Sequence, residues 1–157
     1  MNGAGFNRAC AIISSEDVID RLLQNKHCEI NIQDDSGETA IFYAIKNGYL
    51  EIVDKLIVNG SNIWHIDKYG ETLLHYATTS DNPKVLERVL SLGLDVNYRG
   101  NNGWTPLMEA ALYNCKEAIK ILLEHGADTT IRNSVGFIAV DYVENDDDDD
   151  IRNLFIY

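Results

Sequence analysis

Four short stretches of the chain carry the same pairing of apolar residues separated by polar spacers. Val18, Ile19, Leu22 and Leu23 form the first, and Ile52, Val53, Leu56 and Ile57 the second; Val85, Leu86, Val89 and Leu90 follow, then Ala118, Ile119, Leu122 and Leu123. Residues so placed fall on one face of a helix. A narrower apolar face precedes the last of these, at Leu107, Ala110 and Ala111. Just upstream, Gly103 suits a tight turn, Thr105 can cap a helix through its hydroxyl, and Pro106 fits the first helical position, where no donor is needed. The pattern predicts turn, inner helix, outer helix.

The same order recurs at a fixed interval. Gly37, Gly70, Gly103 and Gly136 are each 33 residues apart, and Gly60, Gly93 and Gly126 keep the same spacing. Thr39, Thr72 and Thr105 each stand two residues after a turn glycine, and Ala44, Ala77 and Ala110 five residues further on. No single helix or sheet imposes such a period, whereas a stack of like supersecondary units does.

These residues resemble the ankyrin-repeat family, whose unit runs Asp-x-x-Gly-x-Thr-Pro-Leu-His-x-Ala, a helix, and Gly-Ala-Asp-x-Asn. The matching segments are Asp67-Lys-Tyr-Gly-Glu-Thr-Leu-Leu-His75-Tyr-Ala, Asn102-Gly-Trp-Thr-Pro-Leu107, Leu92-Gly-Leu-Asp-Val-Asn97 and His125-Gly-Ala-Asp128. The resemblance implies an all-α repeat solenoid of helix-turn-helix units joined by β-hairpin-like turns. One domain would span residues 1–157: an N-terminal cap repeat over 1–33, full repeats over 34–66, 67–99 and 100–132, and a C-terminal cap repeat over 133–157 with an acidic loop.

The units vary where the backbone needs a left-handed residue between helices. Gly48 serves in the first, Asp81-Asn82-Pro83 replaces it in the second, and Asn114 stands there in the third; Asp and Asn tolerate positive φ, and Pro83 can start the next helix. In the last unit Ile138 and Ala139 replace threonine and proline, and Asp141 takes the histidine place.

Length and composition fit a single core, with 45% apolar residues and no run long enough to cross a membrane. The start lacks an apolar signal core, and Asn2 breaks the myristoylation pattern. Cys10, Cys28 and Cys115 are scattered, which argues for reduced thiols and against a disulfide framework or zinc site. A soluble, monomeric chain in the cytoplasm, and in the nucleus as well, is expected. Net charge is −12, and residues 134–157 hold seven acids against one base. That balance disfavours nucleic acid and suits a protein partner with a basic segment. The run Asp146 to Asp150 reads first as a solvated loop and helix start, and second as a patch for such a partner; it lacks the glycine and later glutamate of a calcium loop.

No nucleophile stands in a catalytic setting, and no phosphate loop or His-Glu-x-x-His is present. The chain reads as a non-enzyme without cofactor or metal. His27, His65, His75 and His125 read as structural, His75 bracing the turn by family analogy. The resemblance implies a concave binding surface of turn tips and inner helices, acting as adaptor or inhibitor. By register its tips include Asp35, Lys68, Tyr69, Glu71, Asn101, Asn102, Trp104 and Phe137, and its inner-helix positions Leu112 and Tyr113. Large apolar groups on later tips mark Trp104, Tyr113 and Tyr69 as solvent-facing anchors for a partner, the alternative being rings folded down against neighbouring turns as local packing. Asn31 and Asn97 read first as turn-bracing residues, and they match the family position where asparagines can be hydroxylated by a dioxygenase. The alternative roles are a substrate-targeting subunit, as of a ubiquitin ligase, or a pathogen-encoded mimic of a transcription-factor inhibitor.

Overall fold

A computed structural model describes residues 16–24, 29–143 and 149–156. His27, Cys10, Cys28 and Asp146 to Asp148 of the acidic run lie outside them. The described helices are α1 (Glu16–Leu23), α2 (Ala40–Lys46), α3 (Leu50–Val58), α4 (Leu73–Thr78), α5 (Pro83–Leu90), α6 (Pro106–Leu112), α7 (Lys116–Glu124) and α8 (Asp149–Asn153). No strand occurs among the described residues. Helices α2, α4 and α6 form an inner row, and α3, α5 and α7 an outer row behind it.

The rows follow from side-chain size. Ala44, Ala77, Ala110 and Ala111 are buried and small, which lets inner helices pack closely on both neighbours. Every residue of α4 is buried, since this helix lies between α2 and α6. The outer helices turn Ile52, Val53, Leu56, Val85, Leu86, Val89, Ile119 and Leu122 inward, and one apolar core runs the length of the stack. Ion pairs stitch the outer row: Lys55 reaches Asp20 at 2.8 Å, Arg88 reaches Asp54 at 2.6 Å, and Lys116 reaches Asp150 at 2.8 Å. The last pair gives the described end of the acidic run a structural task, docking α8 against α7.

Each turn tip is a small hairpin closed by a backbone N–H donating to the carbonyl four residues on, as from Asp34 to Glu38, Asp67 to Glu71, Gly100 to Trp104 and Asn133 to Phe137. The turn glycines have φ between +75° and +89°, a conformation that costs glycine nothing. Neighbouring tips are joined by the Lys68 N–H to the Ser36 carbonyl at 3.0 Å and the Ser134 N–H to the Asn102 carbonyl at 2.7 Å.

Two local expectations need correction. Asn114 is left-handed at φ +51°, but Asp81 is not among the positive-φ residues. The second unit instead bends at Asp81, with the Asn82 side chain accepting from the Lys84 N–H at 3.2 Å to cap α5. The threonine caps also differ. Thr105 accepts from the Met108 N–H at 3.3 Å, whereas Thr39 makes no cap bond and its hydroxyl is buried without a partner among the described residues. The Phe42 N–H that it would accept donates to the Thr39 carbonyl instead.

Candidate functional site

Aspartate and tyrosine nine residues apart lock the first two tips. Asp34 Oδ1 accepts from the N–H groups of Ser36 and Glu38, and its Oδ2 accepts the Tyr43 hydroxyl. Asp67 repeats the arrangement with Tyr69, Glu71 and Tyr76, and the Tyr76 hydroxyl lies 2.8 Å from Asp67 and 2.7 Å from Glu38 of the preceding unit. Burial and these carboxylate contacts push the Tyr76 phenol well above its ordinary range. The fourth tip keeps the design with an amide: Asn133 accepts from Val135 and Phe137 N–H groups and donates to the Tyr142 hydroxyl.

The third unit breaks the pair. Gly100 stands at the aspartate place and Glu109 at the tyrosine place. A Cβ at Gly100 would lie 2.8 Å from the Gly70 carbonyl oxygen, so the close approach of the two tips requires glycine. Without an aspartate to hold it, residues Asn101–Gly103 wind into a single 3₁₀ turn with Asn102 at φ +58°, a conformation asparagine tolerates. Tyr69, Glu71, Gly100, Asn101, Asn102, Trp104 and Glu109 then surround an open hollow of about 280 Å³.

Its two glutamates are electrostatically unsettled. Neither carboxylate has a hydrogen-bond or ion-pair partner among the described residues. Glu71 is pushed up to about 7 by burial, then by the charges of Glu109, Asp67 and Glu38, with Lys46 opposing. Burial also raises Glu109. The hollow thus joins two aromatic side chains to two carboxylates that no described residue pairs with directly.

Four of the sequence-derived site residues, Tyr69, Asn101, Asn102 and Trp104, meet here. Tyr69 is 59% exposed, as expected of an anchor. Trp104 is not solvent-facing: it is half-buried and packs on Tyr142 with ring centroids 4.7 Å apart. The apolar core beneath the last two tips draws it down, which makes it a fixed wall. Phe137 is half-exposed and meets Tyr142 edge-on at 5.8 Å. Leu112 and Tyr113 stand apart from the hollow, three and four residues beyond Glu109 on the same helical face, with Tyr113 62% exposed. Asp35, Lys68 and Asn101 hold one another: the Lys68 ammonium donates to the Asp35 carbonyl at 2.6 Å, and the Asn101 amide to the Lys68 carbonyl at 3.5 Å.

Asn31 and Asn97 lie elsewhere, at the base of the hairpins. The Asn31 amide donates to the Gly60 carbonyl at 3.0 Å and accepts from the Asn62 N–H at 2.7 Å. Asn97 does the same with Gly126 and Asp128 at 3.3 and 2.8 Å. Both brace one unit on the next. Trp64 replaces them in between and stands exposed beside Ile63, Ile66, Leu94 and Tyr98.

The described histidines bond within the fold. His75 Nδ1 accepts from the Thr72 N–H at 3.2 Å, and Nε2 faces the Trp104 carbonyl at 3.4 Å, which fixes a neutral ring; burial lowers its pKa to about 4. Asp141 makes the equivalent bond in the last unit, accepting from the Ile138 N–H at 2.8 Å. His65 meets the Gly37 carbonyl at 2.7 Å and His125 the Ile121 carbonyl at 2.8 Å. Glu109 is the site residue that reading the sequence by motif missed. Its signal was there, as the unit whose aspartate and tyrosine places both change.

The stacked units define a repeat-built binding module. A family model for ankyrin repeats in three copies matches residues 6–100, and a single ankyrin-repeat model matches residues 102–134. The chain belongs to the ankyrin-repeat family, whose members are in general non-catalytic protein-binding modules. No curated protein matches it. Among the described residues no helix is long and apolar enough to cross a membrane.

Proposed function

We propose that this chain is a non-catalytic adaptor or inhibitor that covers a surface of a protein partner, gripping a basic segment of it along the turn tips and inner helices. The observation that supports this most directly is the hollow between the second and third tips, where exposed Tyr69 and the fixed Trp104 stand beside the unpaired carboxylates of Glu71 and Glu109. Large exposed aromatics are what interface hot spots are made of. A net charge of −12 attracts a basic segment from a distance and speeds its encounter.

The test is capture of a partner from cell extract by the full chain, a Tyr69→Ala/Tyr113→Ala variant, and a Val58→Ala control on the outer row. The expected result is one protein held by the wild type and the control and lost from the double variant, with a cost of about 2 kcal/mol or more at an anchor. Capture should also weaken as salt rises from about 50 to 500 mM, since screening shortens the reach of the charge. Equal capture by all three proteins would refute the surface assignment. Salt-insensitive capture would refute the basic segment.

A further inference from the structure

Resting on that reading, we infer that the hollow between the second and third tips receives a single arginine side chain of the partner, its guanidinium lying against Tyr69 and Trp104 and facing Glu71 and Glu109. The hollow is too small and open for a drug-sized ligand, which needs roughly 300–1,000 Å³ of enclosed space, but about 280 Å³ accommodates one long side chain. Its lining includes two aromatic rings, a class of side chain that attracts cations, and neither of its carboxylates has a hydrogen-bond or ion-pair partner among the described residues. Asn101 and Asn102 also line it, and each side-chain amide carries a carbonyl acceptor.

A guanidinium matches this set better than an ammonium. It is planar, so it stacks on a ring, and it presents several N–H donors to carboxylates at once. It is also more weakly hydrated, so entering a half-buried hollow costs it less. The first and second tips offer no comparable seat, because their carboxylates are committed to Tyr43 and Tyr76.

Cation binding couples to a proton. Glu71 is pushed up to about 7 by burial and by Glu109, Asp67 and Glu38, with Lys46 the facing cation, so in the free chain it is half-protonated near neutrality. A bound guanidinium favours the ionised form, and binding releases that proton. Affinity therefore rises with pH, by roughly tenfold between pH 6 and 8 if the ionised form alone binds.

The test is an NMR titration of the full chain, read at the indole N–H of Trp104. This signal is separated from that of the other tryptophan by a Trp64→Phe variant. The probes are N-acetyl-arginine amide, its lysine analogue and its uncharged citrulline analogue. The expected result is a saturable shift with the arginine compound, at least threefold weaker binding of lysine, no saturation with citrulline, and stronger arginine binding at pH 8 than at pH 6. A Glu71→Gln/Glu109→Gln variant, checked for unchanged helicity, should lose the arginine response. Equal response to citrulline, or a full response from that variant, would overturn the inference. Partner capture separates the two claims. Capture retained by Glu71→Gln/Glu109→Gln but lost from Tyr69→Ala/Tyr113→Ala sinks the arginine seat and leaves the wider surface standing. Capture unaffected by either double variant sinks both.

Discussion

The second and third units fold the same turn under opposite internal conditions. In the second, Asp67 accepts two backbone N–H groups and the Tyr76 hydroxyl, Glu38 shares that hydroxyl, and His75 ties the helix start to the next tip. In the third, Gly100, Glu109 and Met108 stand at the aspartate, tyrosine and histidine places, and none supplies the corresponding bond. The Met108 side chain is simply packed in the core. The closed network secures the stack, and the open one leaves an unpaired surface that a ligand can complete. A repeat protein can afford this division because each unit is held by its neighbours as well as by itself.

The largest expected effect comes from breaking the closed side. Asp67→Ala strands two N–H groups and removes one acceptor of a buried phenol, and should lower stability by about 3 kcal/mol. Asp67→Asn should cost under about 1 kcal/mol, because Asn133 already performs the same bonding in the fourth tip. Chemical denaturation of both variants decides it; equal losses would mean that charge, and not bonding pattern, holds the tip.

Closing the open side from the backbone should come next. Gly100→Ala places a methyl 2.8 Å from the Gly70 carbonyl oxygen, and the two tips must separate, at a cost of about 2 kcal/mol. The φ of Gly100 is −68°, so no left-handed strain contributes. The hollow should distort with it, seen as a moved Trp104 indole signal. An unchanged melting curve would show that the tips slide apart freely.

His75 distinguishes the two units by pH. Its folded pKa of about 4 lies below the ordinary value near 6.5, so the unfolded chain takes up the proton first as pH falls. Its contribution is whole above about pH 6.5 and is lost on the way down toward pH 4, with a loss of about 1 kcal/mol by pH 5.5. Glu71 works with the opposite sign: raised to about 7, it contributes fully below its unfolded pKa and loses that contribution as pH rises through 7. Denaturation of wild type and His75→Gln between about pH 7 and 5.5 stays above the isoelectric point near 4.5 and isolates the histidine. A parallel pH dependence in the two proteins would mean that His75 is accessible to protons when folded.

The fold was legible because its cause repeats. A turn glycine, a small inner residue and a paired apolar outer face, written at one interval, leave a stack as the economical solution. The site was legible in part, since register alone placed Tyr69, Asn101, Asn102 and Trp104 on neighbouring tips, and they line one hollow. What register could not give was depth. Trp104 is drawn down by Tyr142, a residue 38 positions later, and no local pattern encodes that contact. Thr39 likewise carries the capping letter without the capping bond. Glu109 was hidden for the converse reason. A charged residue at an inner-helix place looks like ordinary drift until Gly100 is seen to have lost the matching aspartate.

The smallest effect sharpens the comparison most. Glu109→Gln removes a charge that burial disfavours and that no described residue compensates, so the free protein should gain up to about 1 kcal/mol at pH 8. Glu38→Ala removes an equal charge from the closed side, yet it strips an acceptor from the Tyr76 hydroxyl, and it should lose about 1–2 kcal/mol. The two substitutions change net charge alike, so general repulsion in an acidic chain cannot produce opposite signs. A gain in stability together with a loss of arginine binding is the mark of a residue kept for recognition at the expense of the free fold. If Glu109→Gln destabilises the chain instead, the carboxylate belongs to the tip's own bonding, and the third unit is closed like the second.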